Sequence, residues 1–258
     1  MGDQKELLAI AESTARAAGA TLLERFHGPA LGVTTKSSAT DPVSDADRAA
    51  EETILKALEG ARPQDGVLSE EGGGSGSRSG LRWVIDPLDG TVNFLFGIPH
   101  WCVSIAVEDE EGWLAAVVYD PNRDEMFGAR RGGGATLNRG RLRFGDKSDI
   151  GQALVGTGFS YDSEARALQA QVIVRLLPRV RDIRRAGSAA LDLAWCAAGR
   201  LDGFFEAEMH VWDRAAGELI VAEAGGVTTP LEPPSGNGLG VIASNPELHE
   251  ELCTLVLG

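Results

Sequence analysis

An apolar run, Trp83-Val84-Ile85, leads straight into Asp86-Pro87-Leu88-Asp89-Gly90-Thr91. Six residues there combine two carboxylates, two residues that restrict or free the backbone, and a hydroxyl. Carboxylates beside an anion site make chemical sense with a hard cation between them, because Mg²⁺ takes oxygen ligands and shares them with phosphate. Pro87 fixes its own φ and offers no N–H to a sheet, so the strand is expected to span Leu81–Ile85. Gly90 admits an unusual backbone angle or a close ligand. If a helical turn starts at Thr91, its backbone N–H groups point towards an incoming anion. The competing reading is a plain loop, since Asp-Pro and Asp-Gly are ordinary turn dipeptides. On local composition alone, the loop is favoured.

Other polar clusters shift that balance. Gly66-Val67-Leu68-Ser69-Glu70-Glu71 precedes the segment, and Trp212-Asp213-Arg214-Ala215-Ala216-Gly217 follows it at a distance. Each has a structural alternative. Glu70 beside Glu71 could be a solvated acidic pair, and Asp213 an acid favoured at a helix start. Asp47, three residues after Ser44, fits a helix-capping pattern. Zinc chemistry is not indicated, because His27, His100, His210 and His249 lack ligand spacing and the cysteines add none. There is no Gly-x-Ser-x-Gly elbow. The Gly72–Ser77 run is read as a loop; no Gly-Lys-Ser/Thr follows it, so it is not a Walker loop. Arg175, Arg179, Arg181, Arg184 and Arg185 form a local basic run, read as a solvated or interface face.

The whole chain must position these groups. Its 258 residues suffice for one large α/β domain or two closely packed halves. A net charge of −14, from 38 acidic and 24 basic side chains, disfavours nucleic acid or an anionic membrane as the main partner. A phosphate substrate would be repelled as well, unless divalent cations reverse the local sign. Cys102, Cys196 and Cys253 are sparse and unpaired by spacing, which points to a reducing cytoplasm. Acidic residues interrupt the first thirty positions, and no apolar run approaches the ~20 residues a membrane span needs, so a soluble, unexported protein is expected.

Leu7, Ala11, Ala15, Ala18, Leu22 and Phe26 share one face of an expected N-terminal helix ended by His27-Gly28-Pro29. A second helix is expected over about 44–60. Residues 101–107 alternate large (Trp101, Val103, Ile105, Val107) with small (Cys102, Ser104, Ala106), as in a strand with a large-residue face and a small-residue face. Strands at 112–119 and 124–130 continue an antiparallel meander through the turn Asp120-Pro121-Asn122. Beyond about 150 the pattern alternates strand 153–157, helix 163–177, strand 181–185, helix 188–199, strand 202–206, helix 213–224, strand 240–244 and helix 246–256. The organisation is layered α/β or α+β, with an N-terminal half at 1–148 and a C-terminal half at 149–258.

Taken together in order, these blocks resemble the inositol monophosphatase family of metal-dependent, lithium-sensitive phosphatases. The carriers are Gly66–Glu71, Trp83–Phe94 and Trp212–Gly217 with Glu223-Ala224-Gly225-Gly226. Lys36, Asp41–Asp47 and Arg185–Asp192 are secondary matches, and the likeness spans nearly the whole chain. The resemblance implies an αβαβα sandwich and two or three Mg²⁺ per active site. Glu70, Asp86 and the Leu88 carbonyl would hold the first metal. Asp86 would bridge to a second, completed by Asp89 and Asp213, with Glu70 also near a weaker third. Thr91, hydrogen-bonded to Asp47, would orient the attacking water, while the Gly90 and Thr91 N–H groups grip phosphate. Glu206, together with Gly187, Ser188 and Ala189, would face the substrate alcohol, and Lys36 would lie near the site. The implied reaction is hydrolysis of a phosphate monoester by water activated at the metals, with no covalent protein intermediate. Inositol 1-phosphate is the first choice of substrate, because Glu206 precedes Asp213 by seven residues as in the inositol phosphatases. Gly187–Ala194 and Ala197–Gly203 look like the bacterial branch. Histidinol phosphate, fructose 1,6-bisphosphate and adenosine 3′,5′-bisphosphate are the alternatives. A non-catalytic regulatory protein on the same fold is the alternative of another class, and a homodimer is the assembly the family implies.

Overall fold

The computed structural model describes residues 2–26, 33–35, 42–72, 74–233 and 239–258. Lys36, Asp41 and His27-Gly28-Pro29 lie outside these residues, as do the side chains of residues 42–44, so the Ser44 cap does too. The apolar periodicity of the N-terminus gives helix α1 (Gly2–Phe26), in which Leu7, Ala11, Ala15, Ala18 and Leu22 are fully buried. The short strands β1 (Val33–Thr35) and β2 (Pro42–Ser44) pair antiparallel and lead into α2 (Asp45–Ala61).

Next come β3 (Gly66–Ser69), β4 (Gly74–Ser75), β5 (Arg82–Asp89), the short helix α3 (Thr91–Leu95), β6 (Cys102–Asp109), β7 (Gly112–Asp120), β8 (Glu125–Arg130), β9 (Gly134–Leu137) and β10 (Gly140–Arg141). They build an eight-stranded sheet in the order β10-β9-β8-β7-β6-β5-β3-β4. Only β3 and β5 run parallel in it. The remainder comprises β11 (Leu154–Thr157), α4 (Ser163–Leu176), β12 (Asp182–Arg184), α5 (Ala189–Ala197), β13 (Gly203–Glu206), α6 (Val211–Glu223), β14 (Val227–Leu231), β15 (Gly240–Ser244) and α7 (Pro246–Leu257). Its five-stranded mixed sheet has the order β12-β11-β13-β15-β14.

The large and small faces of β6 explain the stacking of layers. Trp101, Val103, Ile105 and Val107 pack with Leu7, Ala15, Ile54 and Leu58 of α1 and α2. Cys102 and Ala106 face the opposite way, towards Leu191, Leu193, Ala216 and Ile220 of α5 and α6. Those two helices also cover Phe204, Val241 and Ala243 of the second sheet, so one core joins both sheets. α5 and α6 approach closely at Gly217, where a methyl group would stand 2.5 Å from Leu193 Cβ. α4 and α7 close the far side over Val155, Phe205 and Ile242. The result is the αβαβα sandwich. Among the described residues, no helix is long and apolar enough to cross a membrane.

Three expectations are corrected. The strand expected to stop at Ile85 continues through Pro87 to Asp89. Part of the glycine-rich separator, Gly74–Ser75, pairs with Val67 and Leu68 as β4 instead of forming only a loop. β14 was not foreseen; its Pro230 is accommodated because β14 is an edge strand.

Candidate active site

Side chains alternate along a strand, so Asp86 and Asp89, an odd number of positions apart, should point to opposite faces of the sheet. The register with β6 shows why they do not. Asp86 pairs with Ser104 and Asp89 with Cys102, so Pro87 and Leu88 together oppose the single residue Val103. The extra residue is a β-bulge, which restores both aspartates to the inner face beside α5 and α6. Pro87, unable to donate to the ladder, falls where the ladder is already interrupted. The turn chemistry of this segment and its place in a strand are therefore one feature.

Glu70 follows β3, and its N–H donates to Ile85 O at 3.3 Å, which sets it next to the end of β5. Asp213 arrives from the first turn of α6 and accepts from His210 N at 2.6 Å. Its helix-start role and its place in the site coexist. Glu70, Asp86, Asp89 and Asp213 line one open cavity of about 410 Å³ together with Leu88, Gly90, Thr91, Arg185, Gly187–Ala189 and Glu206. Burial, then the charges of Glu70, Asp89 and Asp213 and a hydrogen bond with Glu70, push Asp86 well above the usual carboxylate range. Burial, Glu70 and Asp89 do the same to Asp213. Burial lifts Asp89 to about 6, although hydrogen bonds from Ser188 and Ala190 favour its charged form.

The donor set fits a hard dication. Four carboxyl groups line this cavity, with Arg185 as the Lys or Arg side chain on its wall among the described residues, and burial with the neighbouring acids disfavours the ionised form of Asp86. Hydrogen bonds from Ser188 Oγ (2.6 Å) and Ala190 N (2.7 Å) both fall on Asp89 Oδ2, and the bond to Asp213 falls on Oδ2, which orients each group and leaves Oδ1 for a ligand. Among the described residues, no three His, Cys, Asp or Glu side chains already stand as a closed metal cage. Like-charged acids have no reason to close up without a cation, and all four line the same cavity.

Thr91 Oγ1 lies 3.1 Å from Asp47 Oδ1 and 3.1 Å from Leu88 O. Asp47 is buried in the first turn of α2, so the hydroxyl links that helix to the bulge. Gly90 has φ 97°, and a methyl group there would stand 3.0 Å from His100 O. Gly90→Ala is therefore expected to lose about 1–2 kcal/mol to the left-handed backbone alone, with more from the contact. Urea denaturation should show a midpoint below that of wild type; an unaltered midpoint would mean the turn is not rigid.

Ser188 is buried, donates to Asp89 and caps α5 by accepting from Leu191 N, so its hydroxyl is committed within the protein. Gly187 has φ 96° and lines the cavity with Ala189. Glu206 ends β13 in a space opened by Gly158, where any Cβ would overlap its carboxylate. Burial raises Glu206 to about 8, with Arg185 opposing and Asp89 reinforcing the shift. Two contributors were missed. Asn93 Nδ2 donates to His100 O (2.8 Å) and Ala186 O (2.9 Å), which fastens α3 to the loop before α5. Asp192 lies buried on the cavity wall. Asn93 stood inside the quoted motif, but nothing local distinguishes a buried amide from an exposed one.

Five layers around this acid-lined cavity define a member of the inositol monophosphatase family: the family's model matches residues 3–257, and the chain belongs to it. Among similar proteins, one of Xylella fastidiosa named Nus factor SuhB is 46% identical over 224 residues, covering 86% of this chain and 81% of that protein. An inositol-1-monophosphatase of Rhizobium meliloti is 47% identical over 204 residues, covering 78% of this chain and 76% of the relative. The crystal structure of the extragenic suppressor protein suhB from Bartonella henselae superposes with a TM-score of 0.92 at 38% identity, covering 97% of this chain and 98% of that one.

Proposed function

We propose that the cavity is the active site of a Mg²⁺-dependent phosphomonoesterase acting on inositol 1-phosphate or a similar polyol phosphate. The observation that carries this reading is the bulge, which brings Asp86 and Asp89 to one face, where Glu70 and Asp213 meet them. Glu70, Asp86, Asp89, Asp213 and the Leu88 carbonyl would hold two or three Mg²⁺. Bound Mg²⁺ supplies positive charge that neutralises the ester phosphate and makes water more acidic. Without it, the cavity's own charge opposes an anionic substrate. Gly90 and Thr91, at the start of α3, offer backbone N–H groups to the phosphate. The Asp47 carboxylate holds the Thr91 hydroxyl in one orientation, so that Thr91 can accept the proton of the attacking water while its own hydroxyl proton passes to Asp47. Glu206, across the cavity, faces the alcohol.

Thr91→Val keeps the shape and removes the hydroxyl. It is expected to lower kcat about 100-fold with little change in KM, the low end of the range for proton-transfer assistance. Steady-state phosphate release measures it, and an equal loss confined to KM would assign Thr91 to binding instead. The reading as a whole is tested by phosphate release from inositol 1-phosphate, histidinol phosphate, fructose 1,6-bisphosphate and adenosine 3′,5′-bisphosphate, each with Mg²⁺ and with chelator. The expected outcome is Mg²⁺-dependent turnover, fastest on the inositol ester and inhibited by millimolar-range Li⁺. No turnover on any ester would favour the second reading, a regulatory protein, which the likeness to a relative named Nus factor SuhB supports. A cytoplasmic homodimer completes the proposal. Exposed Phe96 and Ile98 next to α3 support the pairing, and light scattering should return the mass of two chains.

A further inference from the structure

Asp192 has no part in the chemistry above, yet its carboxyl lines the cavity while almost wholly buried. It sits in the first turn of α5, is 1% exposed, and its Oδ1 has no hydrogen-bond partner among the described residues. Native proteins seldom leave a buried acceptor unpaired, and such groups call for an explanation. An acid in a first turn benefits from the helix dipole, but it gains that benefit equally at the surface. Burial has to be explained by something else.

The surroundings supply it. Gly156 and Gly158 stand two positions apart along β11 and its continuation, and therefore face the same side. A methyl group at Gly156 would lie 3.6 Å from Asp192 Cγ, and one at Gly158 would overlap the Glu206 carboxylate. Gly158 thus makes room for the Glu206 carboxyl, Gly156 makes room for Leu201 and Phe204 beside Asp192, and both carboxyls line the cavity. The charged groups acting on Asp192 are Glu206 at the end of β13, Asp89 at the end of β5 and Arg185 in the loop before α5. Burial, Glu206 and Asp89 raise Asp192 well above the carboxylate range against Arg185. Carboxyl oxygens set on one wall accept hydrogen bonds from hydroxyl groups, the donors that a polyol carries.

We propose that Asp192 and Glu206 form one recognition pair that reads two adjacent hydroxyls of the substrate alcohol, with Asp192 as a specificity residue reached directly or through one water. The ligand class is a phosphorylated polyol carrying a vicinal diol. This rests on the phosphomonoesterase reading.

The test compares inositol 1-phosphate with cyclohexyl phosphate, the same ring without free hydroxyls. Asp192→Leu keeps similar bulk and removes the polar atoms. Its kcat/KM preference for the inositol ester should fall about tenfold, carried by KM, and Asp192→Asn should restore most of it. An unaltered preference, or an equal fall on both esters, overturns the pair. Wild-type protein that hydrolyses neither ester overturns the phosphomonoesterase reading itself. Wild-type crystals soaked with myo-inositol answer independently of how the variants fold. A hydroxyl or a single bridging water within hydrogen-bond distance of Asp192 Oδ1 supports the proposal. A ring bound away from Asp192, or no ring in the cavity, contradicts it.

Discussion

Asp86→Asn is expected to reduce Mg²⁺-dependent phosphate release by about three orders of magnitude or more, an added barrier of about 4 kcal/mol. Asp86 is buried at the bulge and feels Glu70, Asp89 and Asp213 together, so it is the acid best placed to touch more than one cation. The variant should nevertheless fold. An asparagine oxygen can still accept from Leu88 N, as Asp86 Oδ1 does at 3.0 Å, and the amide replaces an acid whose ionised form burial and three neighbouring acids disfavour. Metal-free thermal stability should therefore be equal to wild type or higher, while the rise in Tm on adding Mg²⁺ should shrink sharply. Loss of activity with a lowered metal-free Tm would instead mark Asp86 as a structural residue, and retained turnover would remove it from the site.

The metal-free protein should lose stability as pH rises from 6.5 to 8. Glu206, lifted to about 8 by burial, holds its proton in the fold across this window but has released it in the unfolded chain. A group whose folded pKa is raised gives its full stability below the unfolded pKa and loses it up to the folded one. Each such group removes roughly 1.4 kcal/mol per pH unit. Asp86, Asp192 and Asp213, raised well above the usual range by burial first, act in the same direction. Asp89, at about 6, has largely completed its change before the window opens. His100 works oppositely, since burial lowers it to about 4, but its contribution is complete above the ordinary histidine value of 6.5. Saturating Mg²⁺ should flatten or reverse the slope, because cation binding to N but not U favours ionised acids and stabilises the fold. Thermal melts at fixed ionic strength measure both curves. A metal-free Tm that stays level or climbs over this window would show that these acids are not held together by the fold.

Much of the architecture was legible because burial leaves a periodic trace. The three- and four-residue spacing from Leu7 to Leu22 gave α1, and the large/small alternation of β6 gave its two unlike faces, each of which the fold covers with helices. The acids were legible through the order of their motifs, and the geometry of Asp86 and Asp89 was not. Pro87 signals an end to regular pairing, and sequence cannot say whether the chain then leaves the sheet or bulges and stays, because that depends on Val103 in the partner strand. Gly74–Ser75 and β14 escaped for a related reason: edge strands need no hydrophobic alternation and tolerate Gly and Pro. Asp192 is acidic in a first helical turn, and only the fold reveals that its buried side chain lies on the cavity wall.

The most direct measurement is anomalous diffraction from crystals soaked in Mn²⁺, used as a visible substitute for Mg²⁺. At least two peaks are expected inside the cavity, with one carboxylate oxygen of Asp86 within bonding distance of one and the remaining ligands drawn from Glu70, Leu88 O, Asp89 and Asp213. Fully occupied Mn²⁺ sites elsewhere on the surface, with the space between these acids holding only water, would contradict it.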